Sequence, residues 1–140
     1  ETGADTDTGG ATDLCAPRDA STTTVSETQV NTAYPVPAGG AIADGTYDLV
    51  RFEVYTPATA DDHARARRMV FEGDTVVAIN VDDGAPQPIL GGTWSTGGTD
   101  LSFAITCPTT GTVTLPYTAS GDELWLFDPE EPNVQVYTRQ

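Results

Sequence analysis

The stretch "YTASGDELWLF", residues 117–127, decides how this chain is read. Tyr117 and Thr118 end one extended run, Ser120-Gly121-Asp122 supplies a turn, and Leu124-Trp125-Leu126-Phe127 opens the next run. Successive side chains on a strand point to opposite faces, so a strand with one wet face alternates apolar and polar residues. Residues 124–127 instead send large apolar groups both ways, Leu124 and Leu126 to one side, Trp125 and Phe127 to the other. Either a second layer covers the outer pair, or Trp125 or Phe127 stays partly exposed at the surface.

Outward from that turn the same grammar repeats. "GTYDLVRFEVYTP" reads as a strand ended by Pro57, and "RARRMVFEGDTVVAINVDDG" as two strands around Gly73-Asp74. "PILGGTWSTGGTDLSFAITCP" reads as two strands around Gly97-Gly98, with its glycines as bulges or a tight turn. "GTVTLPYTASGDELWLFDP" adds two, and "NVQVYTRQ" is the last. β-Branched and aromatic residues fill the runs and turn residues separate them. Only "PATADDHARAR", residues 57–67, has the composition for a helix, of two turns at most. The expectation is an all-β chain, an eight-stranded antiparallel up-and-down barrel in which sequence neighbours pair and closure removes the sheet edges.

The ends of the chain read differently. Residues 1–13 carry Gly, Thr, Asp and Ala and almost nothing apolar, so a flexible tether is expected there. The first residue is glutamate, which suggests a mature or trimmed form, and "ETG" at residues 1–3 resembles a secretion-vector scar. Residues 14–43 are expected to be a strap packed on the barrel of residues 44–140, with one short strand near residues 22–30. Leu14, Val25, Val30, Tyr34 and Val36 are its apolar anchors. Cys15 and Cys107 are the only cysteines, and their spacing with the lone His63 does not suit a metal site. A disulfide between them is favoured over two buried thiols, and it would pin the strap to the strand ending near Cys107.

The net charge is −15, from 21 acidic residues and 6 basic ones, all arginine. Such a surface repels phosphate backbones and anionic lipid heads, which argues against nucleic acid as a partner. No run reaches the roughly 18 apolar residues of a membrane-spanning helix. The chain has no nucleophile-elbow, zinc-protease, P-loop or dinucleotide motif, so neither a cofactor nor a metal is expected. His63, between Asp61, Asp62 and a run of arginines, reads as part of a polar loop rather than as an acid-base pair.

Alternation is cleanest in mid-chain, where Leu101, Phe103 and Ile105 share one face, Val113, Leu115 and Tyr117 another, and Val77, Ile79 and Val81 a third. Leu101, Phe103, Ile105, Val113, Leu115 and Tyr117 are the candidate lining of a ligand cavity. Arg65, Arg67 and Arg68 hold half the basic residues within four positions. They could clamp an anionic head group at a barrel mouth or offset the protein's own carboxylates. At strand spacing Arg65 and Arg67 point one way and Arg68 the other.

Gly45-Thr46-Tyr47 and Arg139 resemble a pair of features of lipocalins and related calycin barrels. In that family a Gly-x-Trp motif opens the first strand, and an arginine near the end of the last strand packs across the ring. Tyr47 stands here where lipocalins carry tryptophan, and Gly92-Thr93-Trp94 lies mid-chain, away from the lipocalin position. The chain is also similar to small secreted lipoproteins of Gram-negative bacteria, with an acidic Thr/Gly tether before a β-meander. The resemblance implies a monomeric, non-catalytic module outside the cell, in the periplasm or at the bacterial surface. Its partner would be a small apolar molecule or, if the barrel is solid, a surface protein meeting a patch around Trp94 or Trp125.

Overall fold

In the computed structural model, which describes residues 13–140, ten strands form and no helix does among the described residues. They are β1 (Val25–Val30), β2 (Gly45–Tyr55), β3 (Ala64–Glu72), β4 (Thr75–Asp82), β5 (Ala85–Pro86), β6 (Leu90–Gly97), β7 (Asp100–Cys107), β8 (Gly111–Ser120), β9 (Glu123–Asp128) and β10 (Asn133–Arg139). The expected tether, residues 1–3 included, lies outside the described residues except for Asp13. All ten strands belong to one sheet, rather than the eight expected. β1 is the short strand expected in the strap near residues 22–30, here joined to the sheet, and the unexpected strand is β5, two residues long after a turn in which Asp83 and Gly84 both have positive φ.

The sheet closes on itself. Antiparallel ladders join β2 to β3, β3 to β4, β4 to β6, β6 to β7, β7 to β8, β8 to β9, β9 to β10, and β10 back to β2. β2 and β3 pair only from Gly45–Asp48 against Phe71–Arg68 and then diverge. β1 fills that gap. Glu27–Val30 run parallel to Phe52–Tyr55 of β2, and Val25 and Ser26 pair antiparallel with Arg65 and Ala64 of β3. The helix weighed over residues 57–67 is not formed, because Ala64–Arg67 begin β3 and meet partners on β4 and β1.

The interior holds one cluster, with Tyr47, Leu49, Phe71, Leu101, Tyr117 and Leu124 among its most buried members. Leu124 and Leu126 face into it. Phe127 belongs to a second, outer cluster with Tyr55, Val134 and Val136, against which Val30, Tyr34 and Trp125 pack. The Tyr34 ring stands edge-on to Tyr55 at 5.3 Å and to Phe127 at 5.9 Å. Its hydroxyl donates to the Asn133 carbonyl at 2.9 Å. The outer apolar side of β9 is therefore covered, by residues that precede it by about ninety positions in the chain. Burial, with the Asp128 carboxylate nearby, pushes the Tyr34 hydroxyl up to about 12.

The strap is held at both ends. Cys15 and Cys107 form a disulfide, packed over Gly91, where a Cβ would lie 2.6 Å from Leu14 Cβ. At its other end residues 38–43 cross one mouth of the ring. Gly39 exchanges backbone hydrogen bonds of 2.8 Å with Tyr117 and Ala119. The Tyr117 hydroxyl donates to the Gly40 carbonyl, and Tyr47 to the Ala43 carbonyl at 2.6 Å. Gly39 and Gly40 have φ of 68° and 125°, and a Cβ on Gly40 would lie 2.2 Å from the Ala119 carbonyl oxygen, so both positions need glycine. Ile42 packs on the interior cluster. This mouth is the closed end, and the loops 56–63 and 128–132 lie at the opposite, open end.

Between these anchors Val25 is buried, whereas Val36 is 85 % exposed and anchors nothing. Pro35 and Pro37 on either side are the half-buried residues there, so Val36 points away. Val77 and Ile79 are buried too, but Val76 and Ala78 take the inward positions on β4. Close by, Arg68 makes a two-point contact with the buried Asp48, at 2.7 and 3.0 Å, and reaches the Asp19 carbonyl at 3.3 Å. At the closed end Arg139 lies over Gly45, where a Cβ would come within 2.8 Å of Arg139 Cδ, and donates to the Asp44 carbonyl at 3.2 Å.

Candidate functional site

Two of the concavities among the described residues bear on function. The first is an apolar cavity of about 150 Å³ among β3, β4, β6, β7 and β8. Its lining includes Phe103, Ile105 and Val113 of the six residues read from the sequence. Leu101 and Tyr117 do not line it but are fully packed in the core, and Leu115 packs half-buried against that core. Met69, Val76 and Leu90, not anticipated, complete the apolar wall. Ala78 adds little volume to the wall, whereas a Cβ on Gly91 would meet Leu14 and the disulfide and one on Gly92 the Ala104 carbonyl, so the two glycines serve close packing with their neighbours. The ladder between β6 and β7 shifts register between Gly91 and Gly92, as a bulge there requires.

The second concavity is a cleft of about 670 Å³ at the open end, roofed by the loops 56–63 and 128–132. β1 builds one wall and sets the first loop. Gln29 Nε2 donates to the carbonyls of Val54 and Ala58, Gln29 Oε1 accepts from Ala60 N–H, and Glu27 Oε1 accepts from Asp61 N–H. Arg65 and Arg67, alternate residues of β3, both point into this cleft. Arg65 donates to Glu27 at 2.7 Å and stacks 4.3 Å over the Phe52 ring. Arg67 donates to Gln135 Oε1 at 2.9 Å and lies 3.6 Å from Asp82. Gln135 Oε1 also accepts from the Tyr137 hydroxyl, whose ionisation burial pushes up. Arg68 is on the other face, bound to Asp48, so the three arginines do not converge on one anion. Glu27, 38 residues before Arg65, was not anticipated as its partner.

His63 stands at the rim of the same cleft. Its Nδ1 lies 2.8 Å from Asp83 and its Nε2 3.5 Å from Asp61. The hydrogen bond it donates to Asp83, with both carboxylates close, raises its pKa above the ordinary 6.5. Asp83 is held below the usual carboxylate range by the Ala64 N–H and by His63. Both ring nitrogens thus face carboxylates, and among the described residues no hydroxyl or thiol is hydrogen-bonded to the ring. Among the described residues no group of three or more His, Cys, Asp and Glu side chains is placed to hold a metal ion. No helix of the described residues is long and apolar enough to cross a membrane.

No family model, curated protein or solved structure matches this chain. What can be stated of its class is a closed antiparallel ring of strands with an intramolecular disulfide. That disulfide is consistent with an extracellular or periplasmic location.

Proposed function

We propose that this chain is a secreted or surface-anchored, non-catalytic module that takes up a small apolar molecule. In this reading the ring is an eight-stranded up-and-down barrel of lipocalin-like type, with β1 and β5 as additions to it. The up-and-down order of the ring supports the lipocalin-like reading; Arg139 lies over Gly45, with no cation–π contact to Tyr47 among the described residues. The observation that carries the functional reading is the 150 Å³ cavity, bounded by apolar side chains and glycines. The pocket opens to the surface beside Val113, and an enclosed apolar cavity of about this volume accepts benzene or xenon, so the ligand is of single-ring or short-chain size.

The test is an NMR titration of the oxidised protein with benzene. Shifts confined to Met69, Phe103, Ile105 and Val113, abolished by Ala78→Leu, are the expected result. The absence of any saturable shift would sink the ligand reading.

A second reading is a solid-core interaction protein, favoured by the tight filling of most of the interior. The tryptophans are weak support for it, since Trp94 packs against Phe71 and Trp125 on the outer cluster, both half-buried. Benzene binding with the predicted A78L response would exclude it.

A further inference from the structure

The open-end cleft has unsatisfied acceptors rather than unsatisfied cations. Both inward arginines already have protein partners, Glu27 for Arg65 and Gln135 with Asp82 for Arg67. Five carboxylates line the cleft, those of Glu27, Asp61, Asp128, Glu130 and Glu131, against two guanidiniums and the imidazole of His63, whose Nε2 lies 3.5 Å from Asp61. Glu27 is committed to Arg65, but Asp128, Glu130 and Glu131 form no ion pair among the described residues. A concave wall of one sign concentrates counter-ions of the other.

Independent of those charges, Asn133 lines the cleft only 6 % exposed, and its side-chain oxygen has no hydrogen-bond partner. Its neighbours Val134 and Val136 face the outer cluster, so strand alternation turns Asn133 inward with Gln135. A buried acceptor left unpaired carries an uncompensated desolvation cost, which a ligand N–H would recover. Apart from Arg67 Nε, whose guanidinium is already held by Gln135 and Asp82, the groups awaiting a partner here are acceptors, three of them anionic.

We propose that this cleft binds an organic polyamine, its ammonium groups against Asp61 on one loop and Asp128, Glu130 and Glu131 on the other. An ammonium N–H meets the Asn133 oxygen. Spacing of the carboxylates over two loops favours several ammonium groups on one chain over a single charge. Val54, Pro57, Ala58 and Pro132 give the aliphatic stem an apolar surface. The cleft volume is that of a small-molecule site. This inference concerns a different site from the apolar cavity and does not depend on it.

The experiment is calorimetric titration of the oxidised full chain with spermine at physiological ionic strength. We expect one saturable site, weakened at least tenfold by the combined D128N/E130Q/E131Q change. The combined E72Q/D74N/D100N change removes equal charge at the closed end and leaves affinity within twofold. Spermine should also shift the Asn133 side-chain amide in an NMR spectrum, and magnesium at equal charge should not displace it. No saturable binding, equal weakening by the two triple variants, or displacement by magnesium would overturn the proposal. Circular dichroism of each variant separates loss of the fold from loss of the site.

Discussion

At the closed end of the ring, hydroxyls of Tyr47 and Tyr117 donate to backbone carbonyls of residues 40–43, and Tyr47, Phe71 and Trp94 stack edge-to-face. At the open end, Arg65 and Arg67 meet Glu27, Gln135 and Asp82, and three polar atoms there have no partner: Arg67 Nε, Asp82 Oδ1 and Asn133 Oδ1. The same strands build both ends. Neutral donors paired with backbone acceptors let one end become dry and filled, because a satisfied hydroxyl can be buried at little cost. Charged pairs carry a heavy desolvation penalty and keep the other end wet and concave. Stability in this molecule is thus concentrated away from the surface on which a ligand would act.

Four measurements would break or sharpen that contrast. The largest effect is expected from reducing Cys15–Cys107, which spans 92 positions. A loop of that length is worth roughly 4–5 kcal/mol in the chain-entropy model. Limited proteolysis should then cut the strap near residues 16–22 first, while residues 38–43 stay protected at the closed end. Two free thiols in the unfolded, unreduced protein would remove the basis of this expectation.

Next is Phe71→Ala, which empties the space between Tyr47 and Trp94 at 5.5 and 5.3 Å. About 3–5 kcal/mol should be lost in a denaturant titration. Val113→Ala, at a site 40 % exposed, should cost far less. Similar losses for the two would mean that the ends are not energetically distinct.

Tyr117→Phe leaves the Gly40 carbonyl without its hydroxyl donor, and about 1–2 kcal/mol should follow, with faster hydrogen exchange at Gly39 and Ala119. Unchanged exchange would show that the crossing is held by the glycine backbone alone.

The smallest effect belongs to His63, whose side chain is 55 % exposed at the open rim, where solvent weakens its ion pairs. Its folded pKa lies above 6.5, so its attraction to Asp83 is complete below pH 6.5 and fades as pH rises through the raised value. An NMR titration should place the midpoint above 6.5, and Asp83→Asn should lower it. A midpoint indifferent to that change would assign the shift to Asp61 alone.

Much of this was legible in local pattern. Leu124–Phe127 announced two apolar faces, and Tyr34 and Val30 supply the second layer. Arg65 and Arg67 diverge from Arg68 because a strand alternates. Cys15 and Cys107 form the disulfide that the sequence reading favoured. The features that were not legible depend on long-range complementarity. That β1 would enter parallel to β2 follows from the splay of β2 and β3, which no single segment records. Glu27 gives no local sign of Arg65, and Leu101 and Ile105 share a face while only Ile105 borders a cavity. That difference is set by where each residue falls along β7, Ile105 opposite Gly92 and Leu101 opposite Thr96.

The Cys15–Cys107 crosslink also fixes how this molecule would carry mechanical load. A pull on the chain ahead of Cys15 enters β7 directly through the sulfur bridge. The strap, β1 and the strands from β2 to β6 lie inside the covalent loop and cannot lengthen, which withholds about 300 Å of contour from extension. Tension between the two chain ends is borne by residues 107–140, so β8, β9 and β10 are the elements that yield first.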